Sequence, residues 1–411
     1  MISSEYSLPV TTPDKETEEV PMRRIAVSVC TLIAVMTSFL SPFCSRETKE
    51  EEGRDWFIYD SYNDAGSYEP AESFSSEDGS IKSVVVHWRS GDITVEEGEK
   101  SALSVRENAS ALSDEEKMHI LLRDGVLYIE FCSSGYKFTR KEKNKPLKLE
   151  IPSGLSLTIT TSSGNISLNH FTGDVLALRT TSGSVSTGKI TLNGELSLHS
   201  TSGDISVESL SSLNADISTT TGDIEIGRME CGRVSLERVT GDLRIGHFSI
   251  QDGSFTSSTG ESAFSGEAGT LLVSATSGDI KAESLSVSDH LTMKTSSGDV
   301  HISSLSASSL EISSVVGLLS ISSLDTQSFD IGTTTGAVSL SLSSPADGSV
   351  NSSTGDISLS SLPENTVLTY KSSSGKLSYD NLLSYSEGVF SIGSGEHLIS
   401  VTTSSGNLSV K

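Results

Sequence analysis

The same ten-residue pattern recurs along the chain: LHSTSGDISV at 198–207, ISTTTGDIEI at 217–226 and MKTSSGDVHI at 293–302. In each copy, apolar residues stand two and four positions after a central glycine, and another stands five positions before it. An apolar residue at every second position predicts β-strands that bury one side. The glycine between them, preceded by hydroxyl residues, predicts a tight turn.

This turn glycine returns at intervals of 18 to 20 residues from Gly164 to Gly375, and Gly406 follows after one repeat plus a twelve-residue insertion. The template also fits residues 84–95, with a glycine at the same position. The predicted turn glycines are Gly91, Gly164, Gly183, Gly203, Gly222, Gly241, Gly260, Gly278, Gly298, Gly317, Gly336, Gly355, Gly375 and Gly406.

A unit of about 19 residues cannot bury its apolar side alone, but stacked units can, because each coil adds a strand to a continuous sheet. We therefore predict an all-β fold, a single-stranded β-solenoid (β-helix or β-roll) of about 13 coils. Disorder is the other explanation for a chain rich in Ser, Thr and Gly, but disordered chains do not keep a core register. An insertion between the coil at 84–95 and the regular stack is the candidate cap of the open sheet edge.

Several short motifs carry a family resemblance. They are Thr-Ser-Gly-Asp-Ile at 201–205 and 276–280, Ser-Gly-Asp-Ile at 90–93 and Leu-Glu-Ile-Pro at 149–152. Over about 81–411 the chain resembles the bacterial β-strand-repeat domain of unknown function that is labelled the "putative adhesin" family. The resemblance implies a β-solenoid in the cell envelope, in some members associated with envelope-stress systems. It implies no catalytic residues.

The N-terminal part divides at Met22. Residues 1–21 are polar and acidic, whereas residues 22–44 start with two arginines and continue with an apolar run. The stretch 25–43 has 19 residues without a charge, which is long enough to span a bilayer. If Met22 is the true start, the same stretch has the charged and apolar regions of a secretory signal.

Three interpretations of residues 22–44 remain open: a transmembrane anchor, a cleaved signal and a lipoprotein signal. Cys44 stands where a lipoprotein signal places its lipidated cysteine, although Pro42 and Phe43 are larger than the residues usual before it. Each interpretation places residues 45–411 outside the cytoplasm, in the cell envelope. Each also makes the membrane a partner of the N-terminal segment.

Two regions lead from this segment to the repeat. Residues 45–80 are acidic and without a sustained period, which predicts a flexible tether. Residues 81–150 are interpreted as the N-terminal coil with its capping insertion, and residues 151–411 as the β-solenoid repeat domain. A basic run at 137–148 within the insertion favours a solvated hairpin over contact with anionic lipid or cell-wall polymer.

The residue after the turn glycine is often acidic, as in Asp204, Asp223 and Asp242. Stacked carboxylates repel one another unless a cation or a hydrogen-bond donor lies between them. A calcium ladder or backbone amides would both relieve this repulsion. We favour the amides, because Asn165 and Leu318 occupy the same position in other coils. The sequence therefore predicts no metal and no cofactor.

Charge and spacing argue against two classes of function. With 54 acidic and 29 basic residues, the formal charge of −25 would repel nucleic acid. Polysaccharide-cleaving β-helices need paired carboxylates, or a metal with arginine and aromatic subsites. Here Trp56 and Trp88 both precede the regular stack, and no His-Asp-Ser or His-Cys spacing recurs. Cys132 and Cys231 lack metal-like spacing and are either buried thiols or a disulfide.

We therefore expect a non-catalytic cell-envelope module, structural or binding and adhesin-like, that is not an enzyme. Its partner would be an envelope polymer or a protein, and not nucleic acid. A polysaccharide-active β-helix enzyme is the first alternative, and it predicts a groove where carboxylates and arginine converge. The second is a sensor arm for envelope stress, in which residues 1–21 would be cytoplasmic.

Overall fold

The computed structural model describes residues 57–98, 102–138, 143–379, 384–386, 389–391 and 395–411. Cys44, the anchor or signal segment and the first part of the expected tether lie outside the described residues. Within the described part, no helix is long and apolar enough to cross a membrane.

The middle of the described chain is a stack of long strands that each pair in parallel with the next. They are β11 (Leu155–Ser163), β12 (Ile166–Ser182), β13 (Val185–Ser202), β14 (Ile205–Thr221), β15 (Ile224–Thr240), β16 (Leu243–Thr259), β17 (Ser262–Ser277), β18 (Ile280–Ser297), β19 (Val300–Val316) and β20 (Leu319–Thr335). In this stack, residues at the same offset from the turn glycine are register partners, as Ile205 and Ile224 are.

Each coil encloses the core on three sides. In β14 the buried residues form the groups 205 and 207, then 210 and 212, then 215, 217 and 219. Between these groups two neighbouring residues both lie outside the core, at 208–209 and 213–214. Because a straight strand alternates strictly, each such pair marks a bend in the coil.

The predicted β-solenoid with its period of about 19 residues is confirmed, and it has about 11 turns. That is fewer than the 13 predicted from the glycines.

The N-terminal end of the stack is closed by a mixed layer. The strands of this region are β1 (Phe57–Ile58), β2 (Glu69–Ala71), β3 (Ser73–Ser76), β4 (Ser83–Ser90), β5 (Ile93–Glu97), β6 (Leu103–Glu107), β7 (Met118–Arg123), β8 (Val126–Glu130), β9 (Lys137–Phe138) and β10 (Leu147–Ile151), with a short 3-10 helix at Ala65–Ser67. Strands β1 and β9 form a separate two-stranded antiparallel sheet. Strands β4 and β5 stack in parallel on β11 and β12, and β8 and β10 stack on them in turn. Antiparallel strands follow: β7 and β6, and then β2 and β3.

The expected flexible tether does not hold for residues 57–80. Strands β2 and β3 belong to the closing layer, Tyr59 is buried, and Phe74 packs against the core. These strands are three and four residues long. Such short strands contain too few apolar residues to show a period in the sequence.

The C-terminal end departs from chain order. Its strands are β21 (Val338–Leu342), β22 (Asp347–Thr354), β23 (Ile357–Ser360), β24 (Thr366–Ser372), β25 (Leu377–Tyr379), β26 (Ser384–Ser386), β27 (Val389–Ser391), β28 (His397–Thr403) and β29 (Leu408–Val410). Strand β28 lies between β22 and β24, and β29 lies between β23 and β25. The coil of Gly406 is therefore inserted between those of Gly355 and Gly375 instead of following the latter. The chain first covers the outer edge of β24 with antiparallel β27 and then returns.

One coil carries a charged side chain in its core. Arg238 stands three positions before Gly241, where neighbouring coils have Thr219 and Ser257, and it is only 2% exposed. Its Nη2 donates to the carbonyl oxygen of Glu261 at 2.8 Å and to Oγ of Ser262 at 3.0 Å. Burial lowers the pKa of Arg238 to about 10, so the guanidinium stays charged at neutral pH.

The partner of Arg238 explains an irregularity in the repeat. Ser262 is the one residue that breaks the apolar series two positions after the turn glycine, and it is buried. A hydroxyl at this position supplies an acceptor to the buried guanidinium, which an isoleucine could not do. The hydrogen bond to Arg238 therefore explains why a serine replaces the usual apolar residue at position 262.

We expect the double variant Arg238→Thr with Ser262→Ile to be more stable than the parent by about 1–4 kcal/mol. Both changes restore the residue types of the neighbouring coils, and removing a buried charge together with its polar partner is often stabilising by this amount. Ser262→Ile alone should be destabilising by about 1–3 kcal/mol, because the buried guanidinium loses its side-chain acceptor and keeps only backbone carbonyl oxygens. Urea unfolding followed by circular dichroism measures both. A double variant less stable than the parent would contradict this account.

Candidate binding surface

The turn glycines form a continuous column along one edge of the solenoid. Gly222 and Gly260 have φ of 145° and 117°, in the region that favours glycine. At Gly183 and Gly336 the φ lies outside that region, yet a Cβ there would still come within 3.0 Å of the carbonyl group of the preceding turn glycine. Close stacking of the backbone on the preceding turn is therefore the reason for glycine that these turns share. A positive φ is a second reason for glycine at many of them.

A ladder of side-chain hydrogen bonds runs beside this column. Asp204 Oδ1 accepts the backbone N–H of Asp223 at 2.9 Å, Asp223 Oδ1 accepts that of Asp242 at 2.7 Å, and Asp242 Oδ1 accepts that of Glu261 at 2.9 Å. The bond from Glu261 is the main reason that the pKa of Asp242 is lowered. The carboxylates thus bond amides of the neighbouring coil, one per layer. Among the described residues, no three His, Cys, Asp or Glu side chains are grouped to hold a metal ion.

The outer rim of the turns is a column of exposed hydroxyl residues. The two residues before each glycine are Ser or Thr in most coils, such as Thr220 and Thr221, and they are exposed. Val315 and Val316 interrupt this rim and are each 49% exposed, and Leu318, directly after the turn glycine, is 43% exposed. The rim repeats with the rise of the coil, about 4.8 Å.

A shallow groove of about 340 Å³ runs along another side of the solenoid, eight to ten positions after the turn glycine. It crosses four coils and lies mostly over hydroxyl groups. Its lining consists of Ser286, Val287, Ser288, Ser306, Ala307, Ser308, Asp325, Thr326, Gln327, Ser344 and Pro345. Val287, Ala307 and Thr326 are the buried residues of this set, so the alternating hydroxyl, carboxyl and amide groups face outward.

The chemistry of this groove suits binding better than catalysis. Its lining has one carboxylate, Asp325, and neither arginine nor an aromatic residue. Glycoside hydrolysis by the usual route needs two carboxyl groups. The groove offers repeated hydrogen-bond donors and acceptors instead, spaced by the coil rise.

A second groove of about 530 Å³ at the N-terminal end does contain two carboxylates and an arginine, namely Glu72, Glu107 and Arg106. However, the Glu107 side chain is 1% exposed and pairs with Lys145 at 3.3 Å. Its Oε2 also accepts the backbone N–H of Met118 at 2.6 Å. The Glu107 carboxylate is therefore occupied by Lys145 and by the backbone of Met118, and it is not available to a substrate in the groove.

Lys145 is the centre of this buried cluster. Its Nζ donates to the carbonyl oxygens of Glu116, at 2.6 Å, and of Phe131, and lies 4.0 Å from the centre of the Phe131 ring. Burial lowers the pKa of Lys145, and Glu107 offsets part of that shift. The lysine joins the loop before β10 to the end of β8.

The sequence analysis missed one cluster of catalytic residue types. His199 Nδ1 lies 2.5 Å from Ser218 Oγ, and its Nε2 lies 3.8 Å from Asp216 Oδ2. Burial lowers the pKa of His199, with Asp216 acting in the opposite direction. His199 and Ser218 both stand four positions before a turn glycine, so the coil register alone could have shown that they meet.

This cluster falls short of a catalytic triad. A triad needs the carboxylate in hydrogen-bond contact with the imidazole to orient it. The 3.8 Å separation between Nε2 of His199 and the carboxylate is too long for that bond. We therefore interpret the contact as a side-chain bond between neighbouring coils.

The two cysteines in the described part are both free and buried, so the disulfide alternative is wrong for Cys132 and Cys231. Burial is the main cause of the raised pKa of the Cys231 thiol. A raised pKa makes it a poor nucleophile at neutral pH.

An all-β solenoid of stacked 19-residue coils is the architecture of a repeat protein. The chain belongs to the Toastrack DUF4097 family, whose model matches residues 81–265 and 265–411. The match confirms the family relationship that the sequence motifs predicted. No curated protein matches the chain.

Three solved structures are similar to it at low identity. A putative cell adhesion protein from Clostridium sporogenes is 9% identical, with 83% of this chain and 99% of that one covered and a TM-score of 0.20. A putative lipid binding protein from Parabacteroides distasonis is 14% identical, with 70% and 96% covered and a TM-score of 0.25. A putative adhesin from Bacteroides fragilis is 14% identical, with 71% and 97% covered and a TM-score of 0.20.

Proposed function

We propose that the protein is a non-catalytic binding module of the cell envelope that takes its partner along the side of the solenoid. The observation that carries the proposal is the closure of both ends. Antiparallel strands cover the parallel sheet beyond β8 and β10 at one end and beyond β24 at the other. Edge pairing at these covered strands is thereby blocked, which leaves the long sides as the binding surface.

The hydroxyl-lined groove at residues 286–345 is the part of these sides that we propose as the binding site. It is concave, and its outward groups are neutral apart from Asp325. A partner that presents repeated hydroxyl or amide groups, such as an envelope polymer or an extended protein segment, matches this lining. Much of the negative charge lies elsewhere, including the ladder beside the turn glycines.

The location in the envelope rests on the sequence of residues 22–44. A charge-free run of 19 residues after two arginines supports either an anchor or an export signal, with residues 45–411 outside the cytoplasm. Lipidation at Cys44 is one version of this proposal. Intact mass and N-terminal mapping of the mature protein distinguish a lipid on Cys44, a cleaved signal and an uncleaved anchor.

A binding experiment tests the proposed site. The full chain is sedimented with peptidoglycan, with an anionic cell-wall polymer, with lipopolysaccharide and with anionic phospholipid vesicles. We expect binding to at least one of these, weakened about tenfold by Ser286→Leu with Ser306→Leu, which is equivalent to about 1.4 kcal/mol. Both serines are exposed in the groove, and leucine removes the hydroxyl and narrows it.

The matched control is Ser303→Leu with Ser322→Leu. These serines are equally exposed but stand five positions after the turn glycine, outside the groove. The control should bind like the parent. Equal losses in both pairs, or no binding to the whole panel, would count against the proposed function.

A further inference from the structure

A lysine and a glutamate meet in the core of the N-terminal layer. Lys145 Nζ lies 3.3 Å from Glu107 Oε1, and both side chains are 1% exposed. Glu107 is the last residue of β6 and Lys145 precedes β10, which is the antiparallel neighbour of β6. By contrast, every side chain is at least 21% exposed in the carboxylate ion pairs of Lys117, Lys143, Lys148, Lys281 and Lys294.

The surroundings of Lys145 Nζ suit a neutral amine. The nitrogen donates to the carbonyl oxygens of Glu116, at 2.6 Å, and of Phe131. A neutral amine has two N–H groups and one lone pair, so these two bonds use both hydrogens and leave the lone pair for the contact with Glu107. The rings of Phe131 and Trp88 have their centres 4.0 and 5.2 Å from Nζ and exclude water from it.

The two oxygens of the Glu107 side chain have different environments. Oε2 accepts the backbone N–H of Met118 at 2.6 Å. Within the described residues, Oε1 has no hydrogen-bond partner, although Nζ of Lys145 is 3.3 Å away. A buried carboxylate normally uses both oxygens as acceptors, because unpaired charge in the interior is costly. One oxygen of this carboxyl group is therefore held in place, and no hydrogen bond holds the other.

Burial favours the uncharged forms of both groups. It raises the pKa of the Glu107 carboxyl group and lowers the pKa of the Lys145 amine, while the attraction between the two opposes both shifts. Transfer of one proton from the ammonium to the carboxylate gives an amine and a carboxylic acid, which are the reactants of amide formation. Well-oriented groups within one molecule react as if their concentration were about 10⁵ M or more.

We propose that Lys145 and Glu107 become joined by an amide bond within the chain. The lone pair of Nζ attacks Cδ of Glu107, and the N–H of Met118 stabilises the negative charge that develops on Oε2. The bond from Cδ to Oε1 then breaks, and Oε1 keeps its electron pair. It leaves as water with the carboxyl hydrogen and one amine hydrogen, so no oxidant or other reactant is needed. The new bond ties the end of β6 to the segment before β10.

Mass spectrometry of the full chain tests this bond. Soluble parent protein, whose β-structure is checked by circular dichroism, is kept at neutral pH before its intact mass is measured. We expect that mass to be lower by one water than the mass calculated for the same chain without the bond. Lys145→Arg is the matched variant, because arginine keeps the positive charge and its guanidinium is not a nucleophile at this pH. The variant should have the full calculated mass.

Tryptic digestion locates the bond. Peptides 107–117 and 144–148 each end at a lysine, and we expect them as one linked species in the digest of the parent. The pair of Lys281 and Glu261 is the control within the same molecule. Nζ and Oε2 of this pair are only 2.5 Å apart, but the side chains are 49% and 36% exposed. It should stay unlinked, because water keeps both groups charged.

Two results would overturn the proposed bond. The first is the recovery of peptides 107–117 and 144–148 as separate species from the folded parent, even if the chain has lost water elsewhere. The second is an equal loss of water in the parent and in Lys145→Arg, which would place the reaction at other residues. Neither result depends on the variant being stably folded, since the first uses the parent and the second uses mass alone.

Discussion

Replacing Gly241 by alanine is expected to destabilise the middle of the solenoid by about 3 kcal/mol or more. The new Cβ would lie within 3.0 Å of the carbonyl carbon and oxygen of Gly222, and φ at Gly241 is 134°. Backbone strain of this kind costs about 1–3 kcal/mol, and overpacking against a rigid neighbour adds about 1–3 kcal/mol. Urea unfolding measures the loss. Hydrogen exchange should show that it centres on β15 and β16.

Gly332→Ala is the matched control for this prediction. Gly332 lies in the same kind of coil, but no atom stands within 4 Å of the position of its Cβ. Removing a glycine at such a site is expected to change stability by less than about 1 kcal/mol, since it mainly restricts the unfolded chain. Equal effects at the two glycines would show that close stacking is not what the turn requires.

Lys145→Met is expected to cost about 3–5 kcal/mol and to open the N-terminal layer. The change leaves the Glu107 carboxylate buried without its partner, and the carbonyl oxygens of Glu116 and Phe131 lose their donor. Breaking one half of a buried ion pair costs this much because the other charge remains uncompensated. Protease susceptibility of residues 102–138, together with urea unfolding, measures the effect.

The double variant Lys145→Met with Glu107→Gln distinguishes the cost of the unpaired charge from the cost of altered packing. The glutamine removes the unpaired charge while its oxygen still accepts the N–H of Met118. We expect the double variant to regain at least about 1 kcal/mol relative to Lys145→Met alone. A double variant that is less stable than the single one would refute the electrostatic explanation.

Residue periodicity was sufficient to predict the solenoid, because the glycine and its apolar neighbours keep one register in sequence and in space. It could not predict the order of the last coils. The turn residues around Gly375 and Gly406 fit either neighbour equally well, so the sequence carries no signal for which coil lies outermost. The short strands within residues 57–80 could not be predicted for another reason. They pair through backbone groups and have too few apolar residues to show a pattern.

Side-chain contacts between neighbouring coils are predictable from the sequence once the coil register is known. Ser262 was visible as the exception to an apolar series, and Arg238 stands at an inward position of the preceding coil. His199 and Ser218 share one offset in successive coils. In a solenoid, aligning the sequence coil by coil predicts these contacts, because residues at the same offset from the turn glycine are register partners.

The return of residues 395–411 to a place between β22 and β24 also affects the order of events during synthesis. Coils from Gly164 onward can stack as they leave the ribosome or a translocation channel, because each one needs only the coil before it. Residues 366–379 have to wait, since their parallel partner is β28–β29, which is made later. The C-terminal end is consequently the last part to acquire its native pairing, and a nascent chain stalled before residue 395 would hold an unpaired sheet edge that is open to quality-control proteases.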